Sequence, residues 1–122
     1  MVEDDYLDVE SVKRVLKKAN IKHELRVVHN GEDAIGLLTQ EINKFIPDII
    51  LLDINMPRMN GIEFLSLVRS YYSLKNIKVY ILTTSSEQYD MLTTQNLGIA
   101  GYVVKPLDIN HSFFKDNFDG GT

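Results

Sequence analysis

One uninterrupted apolar run, Ile49-Ile50-Leu51-Leu52, restricts the fold of this chain more than any other feature of its sequence. Such a run is typical of a strand that is buried on both faces, as strands are in the middle of a parallel sheet. Asp53 ends the run, and Pro57 then stops the strand and shapes the loop. Because open α/β sheets place their chemistry at the carboxyl ends of strands, this pattern predicts that Asp53 is a functional residue.

Composition restricts what the rest of the chain can be. Its 122 residues suffice for one domain with a single packed core, and no apolar run approaches membrane-spanning length. The net charge of -4 gives no electrostatic support for binding to nucleic acid or to an anionic membrane. Cysteine is absent, which excludes disulfides and thiol chemistry and fits a reducing compartment. We therefore expect one cytoplasmic domain over residues 1–118, followed by a frayed tail at 119–122.

Helix-like and strand-like segments alternate along the chain. Apolar residues recur at helical spacing over residues 8–19, 34–42 and 62–68, hydroxyl side chains precede a predicted helix at 87–96, and a short helix follows Asp108. The β-prone runs lie at residues 25–28, 48–53, 77–82 and 100–104. This alternation predicts an α/β fold in which right-handed βαβ crossovers form a parallel sheet with helices on both faces.

Polar residues follow the predicted strands at the edge where their carboxyl ends meet. Glu3, Asp4 and Asp53 would form a cluster of carboxylates, which is unfavourable unless a cation joins it, and hard oxygen ligands suit Mg²⁺. One carboxylate would then act as a nucleophile and form an aspartyl phosphate. Thr83 and Lys105 would share the charge on the phosphoryl oxygens. These groups together predict phosphoryl transfer to Asp53.

Four motifs occur in order along the chain: Val2-Glu3-Asp4-Asp5, Leu52-Asp53-Ile54-Asn55-Met56-Pro57 with Asn60-Gly61, Leu82-Thr83-Thr84-Ser85, and Gly101-Tyr102-Val103-Val104-Lys105-Pro106. With these motifs, the chain resembles the receiver domains of bacterial two-component response regulators, the CheY-like superfamily. The resemblance implies a doubly wound, flavodoxin-like sheet of five parallel strands in the order 2-1-3-4-5. Since such domains have a full first strand before the acidic pair, the resemblance also implies that the first strand is truncated here.

The resemblance implies a role for each acidic residue. Asp53 would accept phosphate, and Asp4 would be the direct Mg²⁺ ligand, with Asp5 as the alternative one residue later. Glu3 would act on the metal through water, and Asn55 would supply its backbone carbonyl.

The resemblance also implies the residues of a conformational switch. Thr83 would be the switch hydroxyl, with Thr84 as the alternative, Lys105 the phosphate-binding lysine, and Tyr102 the aromatic switch residue. Supporting positions would be Pro57, Gly61, Thr84 and Pro106.

The implied function is that of a phosphoacceptor regulator rather than an enzyme, although it would assist its own phosphotransfer and autodephosphorylation. Its partners would be a sensor histidine kinase or a phosphotransfer protein, and then a downstream protein or a second copy docked on the face formed by the fourth helix, the last strand and the last helix. The spacing between Asp4 and Asp53 is longer than in compact members of the family, and the additional residues fit at 40–47. In this respect the chain resembles the stand-alone receivers paired with bacterial phytochrome-type kinases.

Two other functions compete with this one. A haloacid-dehalogenase-type Mg²⁺ phosphatase also uses an Asp at a strand end, but it needs a second Asp two residues later, where this chain has Asn55. A receiver-like binding module that takes no phosphate is the other alternative, and the short first strand is the feature that favours it.

Overall fold

The computed structural model describes residues 1–42, 45–54, 59, 61–71, 73–83, 98–105, 107 and 112–118. Its helices are α1 (Tyr6–Lys18), α2 (Gly31–Thr39), α3 (Gly61–Ser70) and a C-terminal helix (Ser112–Phe118). The predicted helix at 87–96 and the predicted tail at 119–122 lie outside the described residues. None of the helices described here is long and apolar enough to span a membrane.

Side-chain and backbone capping set the ends of α1. The carboxylate of Asp5 accepts hydrogen bonds from the backbone N–H groups of Leu7 (2.9 Å) and Asp8 (3.4 Å), so the helix begins before the first periodic residue. At the other end, Asn20 takes a left-handed conformation with φ of 57°, which stops the helix.

Helix α2 is shorter than its apolar pattern predicted. The expected helix face included Ile42, but α2 ends at Thr39, and Ile42 is 80% exposed, so that assignment was wrong. The backbone of Gln40 is extended, with ψ of 142°, and this turns the chain out of the helix. The predicted periodicity continued past the end because an isolated apolar residue in a loop matches helical spacing by chance.

Three parallel strands form the continuous part of the sheet: β1 (Ile49–Asp53), β2 (Lys78–Thr83) and β3 (Gly101–Val104), in that spatial order. The register pairs Asp53 with Leu82 and Thr83 with Val104, so the carboxyl ends of the strands are aligned. Residues 50–53 of β1 are all buried, which confirms the prediction of a strand covered on both faces.

Residues 1–3 lie in the centre of the sheet. The backbone of Val2 forms parallel bridges to Val28 on one side and to Leu52 on the other. The Asp53 N–H donates to the Val2 carbonyl at 2.9 Å. The spatial order is therefore the 25–28 segment, residues 1–3, β1, β2 and β3, which agrees with the predicted order 2-1-3-4-5.

Helices cover both faces of the sheet, as predicted. Successive residues of β1 point to opposite faces, so Ile50 and Leu52 join one core and Leu51 the other. The first core is completed mainly by α2 and α3, through Ala34, Leu38, Phe64, Leu65 and Val68. The second is completed mainly by α1 and the C-terminal helix, through Val12, Leu16, Phe113 and Phe114.

A cavity of about 390 Å³ continues the path of the first strand from Met1 toward the amino ends of its neighbours. One wall is formed by residues 22–26 and the opposite wall by residues 45–51, the segments that lead into the strands flanking Val2. Leu16 and Phe113 line it from one face of the sheet, and Leu38 and Phe64 line it from the other. The cavity therefore lies where the first strand would continue, with apolar side chains facing it from both sides of the sheet.

Candidate functional site

The aligned strand ends bring four predicted site residues to one edge of the sheet. Asp53 ends β1 and Thr83 ends β2, and both are buried. Glu3 directly follows the bridged Val2 and is fully buried. Lys105 directly follows β3, and its backbone N–H donates to the Thr83 carbonyl at 2.7 Å. Residues distant in sequence meet here because parallel strands end at the same edge.

Three carboxylates meet beside the end of β1. Carboxylate oxygens of Glu3, Asp4 and Asp53 all lie within 4.8 Å of one another. This concentration of negative charge is unfavourable by itself, and carboxylate oxygens are the ligands that hard divalent cations prefer. The donor set therefore fits a divalent metal ion. Asp5, the alternative to Asp4, instead caps α1.

The ammonium of Lys105 stands among these carboxylates. Its Nζ lies 2.6 Å from Glu3 Oε1, 2.8 Å from Asp8 Oδ2 and 3.8 Å from Asp53 Oδ1. The Lys105 side chain is only 11% exposed, so water screens these ion pairs weakly. Lys105 thus supplies a fixed positive charge next to Asp53, while the distance to the Asp53 carboxylate is longer than a hydrogen bond.

Burial changes the protonation of Glu3 and Lys105. Burial, reinforced by the neighbouring Asp53, raises the pKa of Glu3 from 4.5 to about 8, against the attraction of Lys105. Burial by itself lowers the pKa of Lys105, but the hydrogen bond to Asp8, the close contact with Glu3 and the charge of Asp53 outweigh it and raise that pKa to about 12. The lysine is therefore cationic at neutral pH, whereas Glu3 retains its proton far more readily than an ordinary glutamate.

Gly61 packs directly on the backbone that follows Asp53. A Cβ atom at position 61 would lie 2.6 Å from the Ile54 Cα and 2.9 Å from the Asp53 carbonyl oxygen. The Gly61 N–H also donates to the Ile54 carbonyl at 3.0 Å. Because both obstacles are backbone atoms, no side chain can turn aside, and a larger residue must displace the start of α3 or the end of β1.

Gly61→Ala is therefore expected to lower the free energy of unfolding by roughly 1–3 kcal/mol. Urea unfolding followed by circular dichroism measures the loss. Gly36→Ala in α2 is the matched control, since a Cβ there meets nothing within 4 Å and alanine favours the helix. Equal stability of Gly61→Ala and the unmodified protein would contradict the close packing at this position.

The remaining predicted residues divide into two groups. Tyr102 lies in β3, paired with Ile81, and is 41% exposed, so its ring is open to solvent. Four predicted positions lie outside the described residues: Asn55, Pro57, Thr84 and Pro106.

Asp8 belongs to the site, although its sequence position did not reveal this. From the sequence it is only an acidic residue near a helix start, where such residues favour the helix dipole. In the structure it binds Lys105, which is 97 positions away. No local spacing signals this pair, because it forms only when α1 packs beside the end of β3.

The chain matches the family model "Response regulator receiver domain" over residues 1–113. Among curated proteins it is similar to the response regulator Rcp1 of Synechocystis sp., with 34% identity over 116 residues that cover 93% of this chain and 79% of Rcp1. The phosphatase alternative needs a second Asp two residues after Asp53, and this chain has Asn55 there.

Solved structures give the same result. The Mn²⁺-bound form of Rcp1 has a TM-score of 0.79 at 35% identity and covers 94% of this chain and 84% of that one. The bacteriophytochrome response regulator AtBRR has a TM-score of 0.82 at 33% identity, covering 93% and 84%. The phosphorylated cyanobacterial phytochrome response regulator RcpA has a TM-score of 0.79 at 33% identity, covering 88% and 79%.

These similarities confirm the CheY-like fold and the resemblance to phytochrome response regulators. Receiver domains are signalling regulators that work with histidine kinases or phosphotransfer proteins. With a family match over residues 1–113 and a relative that is 34% identical over 93% of this chain, the chain belongs to the receiver domain family of two-component response regulators.

Proposed function

We propose that Asp53 is the residue that accepts a phosphoryl group from a histidine kinase or a phosphotransfer protein. The observation that carries this proposal is the position of its carboxylate, which lies beside two further carboxylates and 3.8 Å from the Lys105 ammonium. Phosphoryl transfer needs positive charge around the phosphoryl oxygens and a nucleophile held in place. The site offers both the positive charge and the nucleophile. We take the receiver domain to span residues 1–118.

Mg²⁺ is the cation of this proposal. Asp4 and Asp53 would bind it directly and Glu3 through water, together with the backbone carbonyl of Asn55, which lies outside the described residues. The all-oxygen donor set supports this choice, as does the existence of a Mn²⁺-bound form of the similar Rcp1. When bound, the cation would neutralise charge on the phosphoryl oxygens.

Thr83 and Lys105 are the proposed contacts of the phosphoryl group. Lys105 would donate from its ammonium, and Thr83 from its hydroxyl at the buried end of β2. A move of Thr83 toward the phosphoryl group would leave space into which the exposed Tyr102 can turn. Phosphorylation would then shift an equilibrium between two existing conformations.

The proposed output surface includes β3 and the C-terminal helix, together with the predicted helix at 87–96. Tyr102 and Val104 support this proposal, since they are 41% and 40% exposed on β3 and give it an apolar face. A downstream protein or a second copy of the chain would bind there. The same carboxylates and cation would also assist loss of the phosphoryl group to water.

The test is incubation with acetyl phosphate and Mg²⁺, followed by intact mass measurement. We expect a mass increase of one phosphoryl group, absent without Mg²⁺ and absent in Asp53→Asn. Asp48→Asn is the matched control, because Asp48 precedes the same strand at its opposite, solvent-exposed end. A folded protein that gains no mass would overturn the proposal and favour the binding module.

A further inference from the structure

Lys105 and the proposed metal ion compete for the same carboxylates. The three carboxylates around the Lys105 ammonium belong to Glu3, Asp8 and Asp53, and the three that could hold a metal belong to Glu3, Asp4 and Asp53. The carboxylates of Glu3 and Asp53 therefore belong to both sets. A divalent cation bound to the shared pair would repel the ammonium and withdraw two of its three partners.

Asp8 is the partner that the metal does not share. It stands in the first turn of α1, where the Asp5 cap fixes the backbone around it. Its bond to Lys105, at 2.8 Å, has the geometry of a hydrogen bond, whereas the shorter Glu3 contact is an ion pair without that geometry. Asp8 is therefore the best-aligned acceptor that the ammonium has in this site.

We propose that Asp8 is a positioning residue that anchors the Lys105 ammonium, so that the lysine and the metal ion can occupy the site together. With Asp8 in place, Lys105 has a carboxylate of its own when the metal binds Asp53 directly and Glu3 through water. The ammonium then stays near Asp53 without occupying the oxygens that the metal uses. This inference rests on the proposed function, and it assigns a role to Asp8, a residue to which the proposed function gives none.

Loss of the Asp8 carboxylate changes what Lys105 binds. In Asp8→Asn, the ammonium would depend on Glu3 and Asp53, because among the described residues these carry the other two carboxyl groups within 4.0 Å of it. A metal ion would then have to displace the ammonium before it could bind. The variant should therefore bind Mg²⁺ more weakly, and the weakening should require the lysine.

A double-mutant cycle tests this requirement. Mg²⁺ affinity is measured by isothermal titration calorimetry for the unmodified protein, Asp8→Asn, Lys105→Met and the double variant. We expect Asp8→Asn to raise the dissociation constant roughly 5-fold when Lys105 is present, and less than about 2-fold in the Lys105→Met background. The difference isolates the Asp8–Lys105 pair from any general effect of lost negative charge.

Two further variants keep the result independent of folding and of net charge. Asp8→Glu retains a carboxylate and should hold the dissociation constant within about 2-fold of the unmodified protein. Glu10→Gln removes one negative charge from the same helix at a half-buried position that pairs with Lys13, and it should have a similarly small effect. Circular dichroism establishes that each variant is folded.

Two outcomes would overturn the inference. One is an equal loss of affinity in both backgrounds, which would mean that Asp8 acts only through its charge. The other is no loss in either background. If the unmodified protein is phosphorylated and either outcome is found, the inference about Asp8 fails while the proposed function stands. If the unmodified protein binds no Mg²⁺, the inference fails together with the cofactor of the proposed function.

Discussion

Lys105→Met is expected to slow the phosphorylation of Asp53 by acetyl phosphate roughly 100-fold or more at saturating Mg²⁺, because removal of one preorganised donor costs about 10²–10³ in rate. The ammonium stands 3.8 Å from the Asp53 carboxylate, and its side chain is 11% exposed, so bulk water cannot easily replace it. Intact mass measured over time gives the rate of phosphorylation.

The same variant should bind Mg²⁺ more tightly than the unmodified protein, since no ammonium beside Glu3 and Asp53 would then repel the cation. Slower phosphorylation with tighter metal binding distinguishes the loss of a phosphate contact from a general loss of structure. Lys78→Met is the control, because Lys78 is exposed at the opposite end of β2. A rate close to that of the unmodified protein would show that Lys105 does not contact the phosphoryl group.

Four apolar, β-forming residues added before Met1 are expected to raise the free energy of unfolding by roughly 2–4 kcal/mol, as burial of each Ile or Val outweighs the cost of ordering it. The cavity of about 390 Å³ lies where these residues would continue the first strand. The extension would also replace the Met1 amine by an amide. Burial lowers the pKa of this amine from 8.0 to about 6, so the amide would remove a charge that burial disfavours.

Urea unfolding at equilibrium measures this gain. The matched control is a Gly-Ser extension of the same length, which adds the backbone without the apolar side chains and should leave the cavity unfilled. An Ile-Val extension no more stable than the Gly-Ser extension would mean that the cavity does not accept a strand.

Much of the fold followed from local patterns. The continuous apolar run at β1 predicted a strand buried on both faces, because only such a position removes every side chain of the run from water. The alternation of helix-like and strand-like segments predicted a parallel sheet with helices on both faces. The position of Asp53 predicted the edge of the sheet at which the site lies. The extent of α2 was not predictable, since Ile42 matches the helical period without being buried.

The sequence by itself determined the strand that carries Asp53, the order of the motifs and the residues that meet at the strand ends. The hydrophobic period acts over short stretches of chain, and the rule that parallel strands end at the same edge of a sheet holds for the whole fold class, so both can be applied to a sequence. Only the tertiary structure decided that Asp8 pairs with Lys105, that Glu3 is fully buried and that Gly61 touches the backbone of Asp53. Each of these contacts joins distant segments, and its distance depends on how whole elements pack, which no local pattern encodes.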